Sequence, residues 1–599
     1  MEKYQNRQAV PVKYRWDLSS FCVSDEAWKK EQERIAEELP KLTKFKGKLN
    51  DANELERFLK LDLDLSLKLD DLYAYAYLNH DVELENQLYI EMKNKASSLL
   101  SRYQIISAYA VPEIIALSNE TFQKLFQENP NLENYRRYLE KIYEAKDHTL
   151  SEQEEKLVAT LTETYDSYSN ISSSLLNAEH DYGTVTLGDG EVVDIATTNY
   201  RLLRKNKDPK IRKQVTDQFQ KTIAQYQNTE SALLNNYVKN NINLAKIRNY
   251  SSPWDAKLKK RHLVPEIFEM LERTAMKTND ISRKYYQFAK EALHFDVLHT
   301  YDLALDWVAS EKEYTIEEAQ TMILASLKVL GTDYLAKAKK VFDNHYIDYC
   351  QYKGKTSGGY SYATATTDSR ILLSYNYKMG DIFTIIHELG HNVHHQWINE
   401  SNPLWYRSCP SIIAEIASLT NEIILSNYLF QNGKTKEERL MGLENFIRTF
   451  QNNFYGAVME GQLEQKMYDH VIKGNSITAA YLNQEADQLL SHYRGNTVED
   501  YGMAHLMWVT RSHYYMNFYL YDYAICISIA TVVANKLIHE EKGFLEKYQD
   551  FLKCGSNLYP DEIFAKLGID LTRQEVYENA VDYFNQQLEL FRKLSKEGE

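Results

Sequence analysis

Cysteine is scarce and carries no pattern. The 599 residues hold five, at positions 22, 350, 409, 526 and 554, an odd number with no C-x-x-C spacing. That argues against a disulfide framework and suits a reducing cytosol. Long apolar runs are missing as well. A membrane-spanning helix needs roughly 20 apolar residues, whereas the most apolar stretch, residues 524–534, is shorter and contains Ser528 and Thr531. It reads as a buried helix, and no membrane partner is expected. Residues 1–14 carry charges but no apolar core, so no secretory signal is expected and the cytoplasm is the expected compartment. Positive charge is in deficit, with 70 Lys and Arg against 85 Asp and Glu and a formal net charge of -15. Nucleic acid is therefore not expected as the main partner. There is no internal repeat, no low-complexity tract and no Pro/Gly/Ser-rich linker; the one compositional excess is tyrosine, 46 in all.

What is present is a large globular chain, 44% hydrophobic and long enough for more than one domain. Residues 1–20 read as extended, and helical patterns run from Ser24 to about Tyr182. Residues 59–69 alternate leucine with polar residues, which is a strand period. Yet Phe58, Leu61, Leu65, Leu69 and Leu72 also form one helical stripe, and Leu and Lys favour helices, so this segment is expected to be helical. Residues 184–193 read as a hairpin turning at Gly188 and Gly190. Long helices are expected over 208–247 and 265–293. A boundary near residue 200 would separate an N-terminal helical domain, 1–200, from a catalytic domain, 201–599. A second β-leaning stretch, 345–378, includes Gly358-Gly359-Tyr360 and Ile371-Leu372-Leu373 and runs almost into the segment that carries the chemistry.

That segment is His387-Glu388-Leu389-Gly390-His391. On a helix, residues four apart share a face, so the two imidazoles can grip one Zn²⁺. Glu388, beside the metal rather than on it, can act as general base toward water. Asp381 is the expected N-cap. A catalytic zinc needs a third protein ligand, and Glu415 is the candidate. It follows His391 by 24 residues, after the helix breakers Pro403 and Pro410, and sits among Ile412, Ile413, Ile416 and Leu419. A carboxylate there is costly unless paired or metal-bound. Glu422, two turns on, shares its face and is the expected partner of a ligand histidine. His394 and His395 are expected to be packing residues.

These motifs together resemble the oligoendopeptidase F branch of the thimet-oligopeptidase-like zinc metallopeptidases. The zinc motif with His394 behind it, Ala414-Glu415-Ile416-Ala417-Ser418, the segment from Ser512 to Ala524, Arg15-Trp16-Asp17-Leu18 and Tyr301-Asp302-Leu303 all carry the likeness, which spans nearly the whole chain. It implies a mainly α fold with a small β-sheet beside the zinc helix, closed around a deep substrate cavity. It implies one Zn²⁺ per chain held by His387, His391 and Glu415. It implies that His513 and one or two of Tyr519, Tyr521 and Tyr523 line the site, opposite the metal, where charge develops on the scissile carbonyl oxygen. Spacing cannot choose among the tyrosines; Tyr521 is the one expected to act as donor and Tyr519 to touch substrate. Gly358, Gly359 and Tyr360 are expected to bind an extended peptide at the sheet edge. The expected activity is endopeptidase cleavage of short oligopeptides. A zinc exopeptidase and a non-catalytic peptide-binding protein on the same fold are the rivals; the intact Glu388 argues against the second.

Overall fold

The computed structural model describes residues 4–499 and 502–597. The chain forms two compact units, each assembled from three segments distant in sequence. One comprises Met1–Thr149, Lys312–Leu425 and Lys536–Gly568; the other comprises Leu150–Glu311, Ser426–Asn535 and Ile569–Glu599. The boundary expected near residue 200 therefore falls inside the second unit. Neither composition nor a linker signals the real division, because each unit is closed by contacts between far-separated segments.

The first unit is helical with one small sheet. Helix Ala52–Val82 starts at Asp51, whose carboxylate accepts the N–H groups of Asn53 and Glu54. It buries Phe58, Leu65, Leu69 and Leu72, with Leu61 partly buried against the same core, so the 3.6-residue stripe prevails over the alternating pattern. The sheet has the order Ile347–Cys350, Arg370–Tyr375, Tyr360–Tyr362, with a parallel and then an antiparallel pairing. Its central strand is buried at Ile371, Leu372 and Leu373, which explains the unbroken apolar run there. Lys355, fully buried, donates to the Asp348 carboxylate at 2.7 Å and to the carbonyls of Cys350 and Leu373 at 2.9 and 2.8 Å. The central strand then leads into helix Met379–Ser401. Its N-cap is Lys378, not Asp381. Asp381 stands inside the first turn and reaches back to accept the N–H groups of Asn376 and Lys378, both at 2.9 Å, satisfying donors that the helix leaves open.

The second unit carries the hairpin Thr184–Thr186 with Val192–Asp194, in the register Val185 opposite Val193. Helix Pro209–Ile247 begins where expected, with Asp208 capping Lys210 N–H at 2.8 Å and proline in the first turn. The expected helix over 265–293 is two, Pro265–Lys277 and Asn279–Ala292, interrupted at Thr278. The Thr278 hydroxyl bonds the Thr274 carbonyl at 2.8 Å and its carbonyl accepts from Tyr455 at 3.0 Å, an alternative to the helical ladder. Helix Leu520–Ile538 is long and apolar enough to cross a membrane, but most of it is buried inside the fold. The five cysteines are all free thiols.

Candidate metal centre

His387 and His391 lie one turn apart on helix Met379–Ser401, with their Nε2 atoms 3.2 Å from each other. Helix Ser411–Asn432 faces them and carries Glu415. Its two carboxylate oxygens stand 3.7 Å from His387 Nε2 and 3.8 Å from His391 Nε2. All the donor atoms fall within 4.8 Å of one another, and among the described residues no other group of His, Cys, Asp and Glu converges in this way. The neighbours of Glu415 behave as their sequence demands: Ile412, Ile413, Ile416 and Leu419 are buried, while the carboxylate keeps about a third of its surface, 32%.

The outer nitrogens of both imidazoles are spoken for. His387 Nδ1 meets Glu422 Oε1 at 2.7 Å, and the His391 ring is bonded to the Ala414 carbonyl. Each acceptor turns its ring so that Nε2 presents a lone pair to the common point. Burial pulls His387 down, but the hydrogen bond and charge of Glu422, with Glu388 and Glu415, outweigh it and raise the group to about 9. Burial and the neighbouring His387 and His394 hold His391 well below its ordinary value. The cluster thus attracts positive charge at one nitrogen and keeps the next neutral. Two imidazole nitrogens, one carboxylate and a ring of surrounding carboxylates fit a divalent ion of the zinc class.

Gly390, between the two histidines, is what lets the helices meet. A Cβ there would lie 2.6 Å from Ser418 Cα and 3.0 Å from both the Ala417 carbonyl and the Ser418 nitrogen. Asn421 supports the same contact, donating to the Ile386 carbonyl at 3.3 Å and accepting from Tyr334 at 2.9 Å.

Glu388 is buried, 8% exposed. Burial pushes its carboxyl up to about 7; His387 opposes the shift, Glu415 and Glu422 add to it, and the Ser361 N–H opposes it. Ser361 belongs to the edge strand Tyr360–Tyr362, so the sheet edge is tied to this carboxylate. Gly359 adjoins the same helix: a Cβ would come within 2.9 Å of Thr384 Cγ2. Gly358 adopts φ +100 and donates its N–H to Ser374 Oγ at 2.9 Å. The Tyr360 side chain is committed elsewhere, its hydroxyl donating to Asp81 at 2.9 Å. His394 is buried against Phe551 and pushed down to about 3 by burial; His395 is pushed down to about 4 for the same reason. Both are neutral packing groups outside the cluster.

His513 and the three tyrosines belong to the second unit. The structure separates the tyrosines. Tyr519 and Tyr523, four apart, sit half-buried with His513: its Nε2 is 3.3 Å from the Tyr523 hydroxyl, and its ring lies 6.0 Å from that of Tyr519. Tyr521, 1% exposed, points into the interior between Trp254 and Phe268 and donates to Glu272. Its hydroxyl is thus committed to Glu272, whereas Tyr519 and Tyr523 lie beside His513. Burial, with Arg511 nearby, holds His513 below its ordinary value, so it is a neutral imidazole at pH 7.

The turn before these residues is strained. Asn517 and Phe518 both have positive φ, 46 and 58, two consecutive left-handed residues that are not glycine. They are clamped from outside. Lys257, buried, donates to the carbonyls of Asn517 and Phe518 at 3.2 and 2.6 Å. Glu464 accepts the Phe518 N–H at 2.6 Å, and Asn517 Oδ1 accepts from Tyr468 at 2.7 Å. Sequence reasoning missed this clamp, and no local signal announces it. It also left the close approach at Gly390 unread, although glycine inside a helical motif is a packing signal.

Comparison with known proteins agrees with this geometry. A model described as peptidase family M3 matches residues 202–583, and one described as oligopeptidase F matches residues 113–182. The chain is 31% identical to oligopeptidase PepF of Bacillus subtilis, over 98% of this chain and 88% of that one. It is 28% identical to an oligoendopeptidase F homolog of Lactococcus lactis, over 99% of each. The crystal structure of oligoendopeptidase-F from Enterococcus faecium superposes with a TM-score of 0.73 at 27% identity, covering 95% of this chain and 99% of that one. Matched by the family model over most of its length and by such relatives from end to end, the chain belongs to peptidase family M3.

Proposed function

We propose that this protein is a zinc endopeptidase that hydrolyses internal bonds of short oligopeptides. The observation that carries the reading is the convergence of His387, His391 and Glu415 with Glu388 buried beside them. One Zn²⁺ held by the three would supply Lewis acidity, polarising the scissile carbonyl and making water easier to deprotonate. Glu388 takes the proton from the attacking water and delivers it to the leaving amine; its raised pKa lets it hold that proton near neutral pH. Glu422 and the Ala414 carbonyl keep the imidazoles oriented. The backbone of Gly358, Gly359 and Tyr360 aligns an extended peptide at the sheet edge. As the resemblance implies, neutral His513, with Tyr523 or Tyr519, would donate hydrogen bonds to the charge developing on the carbonyl oxygen. Free cysteines fit a reducing compartment, and the cytoplasm is the proposed location.

The direct test is metal content with cleavage mapping. Purified protein should hold about one zinc per chain and cut internally quenched peptides at internal bonds. Release of single terminal residues from end-labelled peptides would make it an exopeptidase. Glu415→Ala should lose zinc on dialysis and lose activity with it; full retention would place the third ligand elsewhere.

The second-unit cluster has its own readout. His513→Ala and Tyr523→Phe should each lower kcat and kcat/KM together by roughly 10- to 100-fold with zinc retained, whereas Tyr521→Phe should act through stability. A fall in melting temperature at unchanged kcat for the first two would make the cluster a packing feature.

The resemblance also carries a length ceiling, since it implies a zinc site walled inside a deep cavity. Extending one peptide at both ends should leave the scissile bond unchanged while the rate collapses. Equal rates on a short peptide and on unfolded casein would mean an open cleft and a general protease.

A further inference from the structure

The second unit contains a cavity of about 530 Å³, within the size range of small-molecule sites. Its wall is cationic. Arg201, Arg204, Arg448, Arg494 and Arg511 all contribute to it, against Glu460 as the one carboxylate among the described residues that line it. This is unexpected in a chain whose net charge is -15. Two of these charges are balanced locally: Arg511 pairs with Glu460, and Arg448 pairs with Glu444 at 3.2 Å. Arg201 and Arg204 have no carboxylate at ion-pair distance among the described residues. Arg204 instead donates to the Thr300 carbonyl and lies 5.2 Å from the Tyr200 ring. Asp302, whose charge acts on it, is taken by Arg212 at 2.6 Å. Burial and the like charge of Arg494 both depress Arg204. The field of Arg201 and Arg448 also reaches the Tyr285 hydroxyl on the same wall. A partly buried guanidinium such as that of Arg204, without a matching acid, is costly, and the planar donor pairs of Arg204 and of the exposed Arg201 match carboxylate and phosphate oxygens.

We propose that this cavity binds a small organic anion through carboxylate or phosphate groups, with Arg204 and Arg201 as the principal contacts. The shared chemistry has two sources, an acidic peptide or a free anion.

The test uses the full-length, zinc-loaded protein. Inorganic phosphate and citrate, each at constant ionic strength against chloride, should raise the thermal midpoint and give saturable heats of binding. Arg204→Gln should weaken that binding about tenfold, the worth of one charge-assisted pair. Arg201→Gln, at an exposed position and safe for folding, should weaken it about threefold, a smaller share for a solvated charge. Binding no stronger than chloride, or equal in wild type and both variants, overturns the proposal. Two further arms identify the source. If phosphate competes with a Glu-containing peptide, and the Arg variants lower kcat/KM for it but not for its Gln counterpart, the anion is the substrate's. If phosphate binds without competing and both peptides respond alike, the anion is a separate ligand. Both outcomes require the site, and neither depends on which residues hydrolyse the bond.

Discussion

Glu388→Gln is expected to keep its metal and lose at least ~100-fold in kcat, the lower range for removing a general base. Glutamine preserves the volume and can still accept the Ser361 N–H, so the surroundings should not move. What disappears is the ability to hold a proton between water and leaving amine. The wild-type carboxyl is pushed up to about 7 by burial, with Glu415 and Glu422 adding to the shift and His387 opposing it. Zinc content and melting temperature should match the wild type. Hydrolysis near the wild-type rate would remove Glu388 from the mechanism and restore the view of a peptide-binding protein with an incidental metal.

Gly390→Ala is expected to damage the metal centre without touching a ligand. Its Cβ would sit 2.6 Å from Ser418 Cα, where carbon atoms normally pack at about 3.5–4 Å. The obstacle is backbone, so no rotamer change can clear it, and the two helices must separate by about 1 Å. His387 and His391 ride on one helix and Glu415 on the other, whereas a zinc site tolerates only about 0.2 Å in its ligand distances. Overpacking of this kind costs about 1–3 kcal/mol. The variant should therefore melt earlier, retain little zinc after dialysis and lose activity in proportion to the lost metal. Normal zinc content with a normal melting temperature would show that the helix pair adjusts freely, and Gly390 would then have no role in holding the site.

The helical reading of residues 59–69 shows how far local pattern reaches. Two periods competed there, and the one that placed Phe58, Leu65, Leu69 and Leu72 on a single buried face is the one the fold adopts. Thr278 shows where it stops. Nothing in the sequence marks it as a break, because its hydroxyl finds the Thr274 carbonyl and its carbonyl finds Tyr455, a residue distant in sequence. Asp381 was legible as a helix-start residue but not as the cap itself, since the choice between positions depends on the path of the preceding loop. The division into units was not legible at all, because each joins segments far apart in sequence.

By itself the sequence pointed to the three residues that converge, His387, His391 and Glu415, and to Glu388 buried beside them. His387 and His391 are fixed by helical periodicity, Glu388 by its place between them, and Glu415 by the cost of a carboxylate among isoleucines. Each follows from spacing within one helix or from the composition around one residue. Only the tertiary structure separated the three tyrosines. Tyr519, Tyr521 and Tyr523 are equivalent in the sequence, and what separates them is a helix face, Glu272 and two aromatic rings brought in from elsewhere. The same holds for the Lys257 and Glu464 clamp on the left-handed turn, for the close approach at Gly390 and for the arginine-lined cavity. Distance in space, burial and charge balance are properties of packed segments, and no window along the chain contains them.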